Sequence, residues 1–131
     1  MSRSPAGLFE IAFTQVDRGL RAYVTGINGT LETTLSYWRR IAAEARRTQP
    51  AALLVVDAIY GEPPPPEHLQ EVVLAMKDEG ISHLRVAYVA EDVAQIPQIE
   101  LAVLMANENG FKIRIFSEER EAVSWLRYGE Q

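Results

Sequence analysis

Cysteine is absent from all 131 residues. That excludes disulfides, thiolate nucleophiles and cysteine-based zinc or iron–sulfur sites, and it fits a reducing compartment. Histidine occurs only twice, at His68 and His83. His68 lies one helical turn before Glu71, so the two can share a face, but two ligands with no third nearby are too few for a firm metal site. Basic runs stop at two residues, Arg39-Arg40 and Arg46-Arg47, and the net charge is −5, a balance that argues against nucleic acid as a partner. No apolar run approaches a membrane span, and the first seven residues contain no signal-peptide core. The sequence therefore predicts a cytoplasmic protein with no stable membrane insertion.

Chemical motifs are equally scarce. There is no G-x-G-x-x-G, no phosphate-loop lysine after the Gly26–Gly29 turn and no G-x-S-x-G elbow. The carboxylate pairs Glu91-Asp92 and Glu118-Glu119 fall where turns and first helical turns place acids anyway. No catalytic residue, metal or cofactor is assigned.

What is present is the composition of a globular protein, 47% apolar and 24% charged. Residues 1–6 read as a disordered lead-in and 7–131 as a single domain. The centre is Ala51–Val56, a continuous apolar run that predicts a strand buried on both faces. It changes character at Asp57, passes Tyr60-Gly61 and enters four consecutive prolines, Pro63–Pro66. Open α/β sheets bind at the carboxyl ends of their strands, which marks Asp57, Tyr60, Gly61, Glu62 and His68 as candidate ligand- or partner-binding residues. Two bland alternatives stay open. Asp57 and Tyr60 can serve only the loop amides and the core edge, and the prolines can be a stiff spacer instead of a docking segment.

Around that strand the chain alternates. Residues 8–13 and 20–27, joined by Asp17-Arg18-Gly19, predict a hairpin. Asn28, Gly29 or Thr30 can cap a helix whose apolar stripe is Leu31, Leu35, Trp38, Ile41, Ala42 and Ala45. The arginines toward its end, Arg39, Arg40, Arg46 and Arg47, suit the helix dipole or, alternatively, form an anion- or partner-binding patch. Leu69, Val72, Val73 and Met76 mark a second helix ending at Gly80, and residues 81–90 a second buried strand. A third helix runs from Ile96-Pro97 to about Asn109, with Gly110 at its left-handed stop. Residues 111–116 then alternate as a half-exposed strand, and Ser117 caps a last helix. The order β-β-α-β-α-β-α-β-α predicts an α/β fold: a mixed, mostly parallel sheet of about five strands with helices packed on it.

The third helix is anomalous. Ile99, Ala102, Val103 and Ala106 form one apolar stripe, yet Leu101, Leu104 and Met105 point elsewhere. Such a wrap means either deep burial or an apolar patch for a partner, a second copy of the chain or a ligand.

The element order, the strand Leu53–Asp57 with its loop and helix, and the C-terminal run Asn109-Gly110-Phe111-Lys112-Ile113-Arg114-Ile115-Phe116 followed by acids and Glu121-Ala122-Val123-Ser124-Trp125-Leu126 carry a resemblance. The chain resembles the STAS superfamily of anti-sigma-factor-antagonist-like domains, in the bacterial branch grouped with CRAL-TRIO lipid-binding domains. The resemblance implies a non-enzymatic regulatory or protein-interaction module that docks another protein or itself as a homodimer. Carriage of a small apolar or acyl ligand is the alternative, and an uncharacterised enzyme using Asp57 or Glu91/Asp92 a more distant one. Regulatory members carry a phosphorylated serine where the loop meets the second helix. Here residues 61–68 read GEPPPPEH, with no serine or threonine, so the resemblance implies a module lacking that switch.

Overall fold

The computed structural model describes residues 9–16, 19–27, 30–61 and 65–129. The lead-in 1–6, the turn residues Asp17 and Arg18, the candidate caps Asn28 and Gly29, Glu62 and the prolines 63–64 lie outside the described residues. The strands are β1 (Phe9–Val16), β2 (Gly19–Ile27), β3 (Ala52–Tyr60), β4 (Arg85–Ala90) and β5 (Lys112–Phe116). The helices are α1 (Leu31–Thr48), α2 (Pro66–Met76), α3 (Ile96–Glu108) and α4 (Glu119–Tyr128), with a 3₁₀ turn, Val93–Gln95, leading into α3. The sheet order is β1-β2-β3-β4-β5, the first pair antiparallel and the rest parallel. The order and mixed sheet are those the sequence predicts.

Burial explains the patterning strand by strand. In β3, Leu53, Val55 and Ile59 face the layer made by α1, α2 and α3, while Leu54 and Val56 face α4. Both faces are covered, so the strand reads as an unbroken apolar run. Each of these side chains contributes about 1.5–3 kcal/mol by leaving water. On β2, Leu20, Ala22 and Val24 enter the three-helix core, and Arg21 and Tyr23 point to the other side. There Arg21 Nε donates to Glu119 of α4 at 2.8 Å. On β1 only Phe9 and Ile11 are buried, and Glu10, Ala12 and Thr14 meet solvent because α4 packs mainly on β3, β4 and β5 and meets β2 through Arg21. Arg85 fastens α4 at its end: its Nη2 donates to the Trp125 carbonyl at 2.8 Å and its guanidinium lies 4.3 Å from the Trp125 ring centroid. A cation there also suits the helix dipole.

Several boundaries differ from the sequence expectation. Thr30 is the α1 cap, its hydroxyl oxygen accepting from the Thr33 N–H at 3.0 Å. The buried side of α1 is Thr33, Thr34, Tyr37, Ile41, Ala42 and Ala45, so the stripe is rotated and Leu31, Leu35 and Trp38 are only half-buried. Helix α2 stops at Met76, before a turn to Gly80. Strand β4 starts at Arg85, because Ile81 and Leu84 bury their side chains from a turn. Ser117 does not cap α4. The cap is Glu118, in extended backbone with no side-chain bond, one residue later. At the end of α3 the Phe111 N–H donates to the Ala106 carbonyl and the Gly110 N–H to that of Asn107, a Schellman closure that puts Gly110 at φ +93° as predicted. Asn107 goes on to serve the exposed edge of β5: its Nδ2 donates to the Ile113 carbonyl at 3.0 Å and its Oδ1 accepts from the Ile113 N–H at 2.9 Å.

Candidate functional site

Asp57 is not a loop residue. It lies inside β3 and is 8% exposed, on the same face as Val55 and Ile59. A carboxylate there must be hydrogen-bonded, since burying an unmet charge costs several kcal/mol or more. The Ile59 N–H donates to its Oδ1 at 3.0 Å, closing a local turn on the carboxylate, and the Tyr88 hydroxyl of β4 donates to its Oδ2. Tyr88 is in turn hydrogen-bonded to Tyr37 of α1, so the carboxylate heads a buried chain of three side chains. Trp38 stacks on Tyr88, ring centroids 6.1 Å apart and planes at 20°. Burial pushes the Asp57 carboxyl above its ordinary range, the Tyr88 and Ile59 donors pull it back, and the Glu91 and Asp92 carboxylates push it up again. Burial first, and then the Asp57 charge, raise both tyrosine hydroxyls, so they remain protonated donors.

Beneath this chain is a cavity of about 90 Å³ between the sheet and helices α1, α2 and α3. Its walls are largely apolar, with Val73 from α2, Ile99 and Val103 from α3, and Phe111 beyond it. Asp57, Tyr88 and Tyr37 reach it from the polar side. Gln95 also lines it, and its Nε2 donates to the Gly61 carbonyl at 2.6 Å, tying the start of α3 to the end of β3.

The surface over the carboxyl ends of the strands carries exposed apolar side chains beside the exposed acids Glu91 and Asp92. Ile27 and Tyr60 are paired in the β2–β3 register and are 57% and 77% exposed. Val93, in the turn after β4, is 62% exposed. Large apolar side chains held open to solvent at the end of a rigid sheet are candidates for contact with something else.

The predicted residues therefore divide. Asp57 joins the cavity, while Tyr60 and Gly61 are exposed above it. Glu62 lies outside the described residues, and His68 is half-buried in the first turn of α2 and does not line the cavity. The wrap of α3 resolves into layers. Ile99 and Ala106 are buried, Met105 is half-buried against the core, and Leu101 and Leu104 are exposed on the outer side. The arginines of α1 are mostly engaged: Arg46 with Glu79 at 2.7 Å, Arg47 with Glu44 at 2.6 Å, and Arg40 over the Phe9 ring. Among the described residues no group of three or more acidic or histidine side chains is placed to hold a metal ion, and no helix is long and apolar enough to cross a membrane.

Sequence reasoning missed Tyr37, Trp38 and Tyr88 as site residues. The available signal was an aspartate inside an apolar strand with a tyrosine in the next one. Val55 pairs with Tyr88 and Asp57 with Ala90, which makes Asp57 and Tyr88 diagonal neighbours on one face.

No family model matches the chain, and no curated protein matches it in sequence. The fold does have a solved counterpart, the crystal structure of an anti-sigma factor antagonist from Mycobacterium paratuberculosis. The likeness has a TM-score of 0.66 at 15% identity and covers 96% of this chain and 99% of that one. It is a likeness of fold, and it makes the architecture STAS-like.

Proposed function

We propose that the protein is a non-enzymatic regulatory module that docks a partner protein on the exposed apolar side chains at the carboxyl end of its sheet. The observation that carries this reading is the exposed set Ile27, Tyr60 and Val93, at the ends of β2 and β3 and in the turn after β4. Burying such residues is worth roughly 25 cal/mol per Å² of apolar area, less the cost of association. The counterpart of like fold is, by its title, an anti-sigma factor antagonist, which agrees with a regulatory role. Residues 61–68 offer no hydroxyl for a phosphoryl switch, so docking here is set by shape and by the availability of the partner. The role is read as non-enzymatic because the buried acid is held by the Ile59 N–H and by a Tyr88 hydroxyl that keeps its proton. Cytoplasmic residence is part of this proposal.

A photo-crosslinking residue placed at position 60, with position 74 on α2 as a control, tests the reading in cells. We expect a discrete crosslinked protein from position 60 that Val93→Glu abolishes. Equal labelling from both positions overturns it. If the crosslinked species is the chain itself, the partner is a second copy, and the outer side of α3 at Leu101 and Leu104 is the next surface to substitute.

The cavity favours a second reading, binding of a small apolar molecule. Apolar cavities of about 150 Å³ take up benzene. At about 90 Å³ this one suits a smaller guest and not the acyl chain implied by the CRAL-TRIO resemblance.

A further inference from the structure

The polar groups that face the cavity restrict which small molecule it can take, an inference that rests on the cavity reading and not on partner docking. Every wall of the cavity is neutral except at Asp57. The carboxylate has two oxygens and about four lone-pair positions. The two hydrogen bonds to its side chain, from the Ile59 N–H and the Tyr88 hydroxyl, take one on each oxygen. It can accept from a further donor on the cavity side. The neighbouring Tyr88 hydroxyl is already ordered toward Asp57, and Tyr37 is hydrogen-bonded to Tyr88.

We infer that the cavity binds a compact, uncharged alcohol, its O–H donated to Asp57 and its short hydrocarbon part against Ile99, Val103 and Phe111. The chemistry excludes the neighbouring classes. A carboxylic acid would bring a second negative charge against Asp57 among largely apolar walls. An ammonium carries three N–H donors against the two lone-pair positions Asp57 has left, and it gives up far more hydration than a neutral alcohol on entering largely apolar walls. A hydrocarbon or an ether fits the walls but leaves Asp57 as it was. On the scale set by benzene in larger cavities, the guest is smaller than benzene, with about four or five non-hydrogen atoms.

The test uses the full chain and three probes, read by methyl NMR at Ile99, Val103 and Ile113. Xenon reports whether the cavity admits any guest. 1-Butanol and its isomer methyl propyl ether, equal in formula, differ in whether they donate a hydrogen bond. We expect xenon to shift these methyl signals and 1-butanol to bind about tenfold more tightly than the ether, the ratio a hydrogen bond to a charged acceptor supplies. Asp57→Ala should erase that ratio. Tyr88→Phe, which removes a competing donor from Oδ2, should increase it, and it decides the matter if Asp57→Ala fails to fold. Shifts with xenon but equal affinity for the two isomers overturn the alcohol inference and leave the cavity reading standing. No response to xenon or to 1-butanol overturns both.

Discussion

Tyr88 and Asp57 hold each other across two central strands: the hydroxyl donates to Oδ2 while the Ile59 N–H, 3.0 Å away, occupies Oδ1. The pair is a polar island in a layer otherwise built from Val55, Ile59, Val86 and Ala90. Removing one partner strands the other, an asymmetry that makes it easy to probe.

Tyr88→Phe leaves the Asp57 carboxylate with one donor in a buried site. The expected loss is about 1–3 kcal/mol at neutral pH, measured by urea denaturation. A double-mutant cycle with Asp57→Asn should return a coupling of at least ~0.5 kcal/mol. Strict additivity would mean that the two side chains do not act together.

The raised Asp57 carboxyl gives stability a sign with pH. The folded chain holds this proton more tightly than the unfolded chain does. The stability from Asp57 is therefore complete below the unfolded value of about 3.9 and is lost as pH rises through the higher folded one. Asp57→Asn removes the dependence. In denaturation at pH 4 and pH 7, the variant should gain relative to the wild type at the higher pH. A difference independent of pH would contradict the shift.

Glu119 behaves in the opposite way. The Arg21 guanidinium bonded to it lowers its carboxyl, so its stabilisation is present above the ordinary glutamate value and is lost as pH falls through the depressed one. Because Glu119 is 39% exposed, solvent screens much of this interaction, and Glu119→Gln should cost less than about 1 kcal/mol at pH 7. Wild type and variant should converge in acid. A gap that persists at low pH would point to packing as the cause.

Leu104→Asp and Leu54→Ala separate surface from core. Leu104 is 56% exposed on the outer side of α3, so its substitution should change stability by no more than ~0.5 kcal/mol. Leu54, fully buried between β3 and α4, should cost about 2–5 kcal/mol when truncated. Thermal melts of the two variants check both. An unfolded Leu104→Asp would make that residue part of the core.

The element order was legible because burial leaves a plain mark in sequence. A strand covered on both faces must be apolar throughout, as Leu53–Val56 are, and a Schellman closure wants the glycine found at Gly110. The site was less legible. Asp57 reads as the start of a loop because a buried carboxylate is indistinguishable from a turn residue until its donors are known. One donor, Tyr88, is 31 positions away on another strand. Tyr37 and Trp38 are adjacent on α1, and the helical period does not decide which of the two rings turns inward. The position of the helix over β1 and β2 decides it, and the phenol rather than the indole is fully enclosed. The layering of Ile99, Leu104 and Met105 on α3 likewise depends on which neighbours the helix meets.

The Asn107 carboxamide meets Ile113 as a neighbouring strand would, donor to carbonyl and acceptor to N–H, at the second residue of the outermost strand. A sheet that ends in an open ladder invites another chain to continue it. Here an incoming strand finds the Ile113 position occupied and must break two bonds before making any there. The fold thus carries its own stop against growth into a fibre along that side. The stop lies on the strand edge alone and leaves the exposed Ile27 and Tyr60 at the carboxyl end of the sheet untouched.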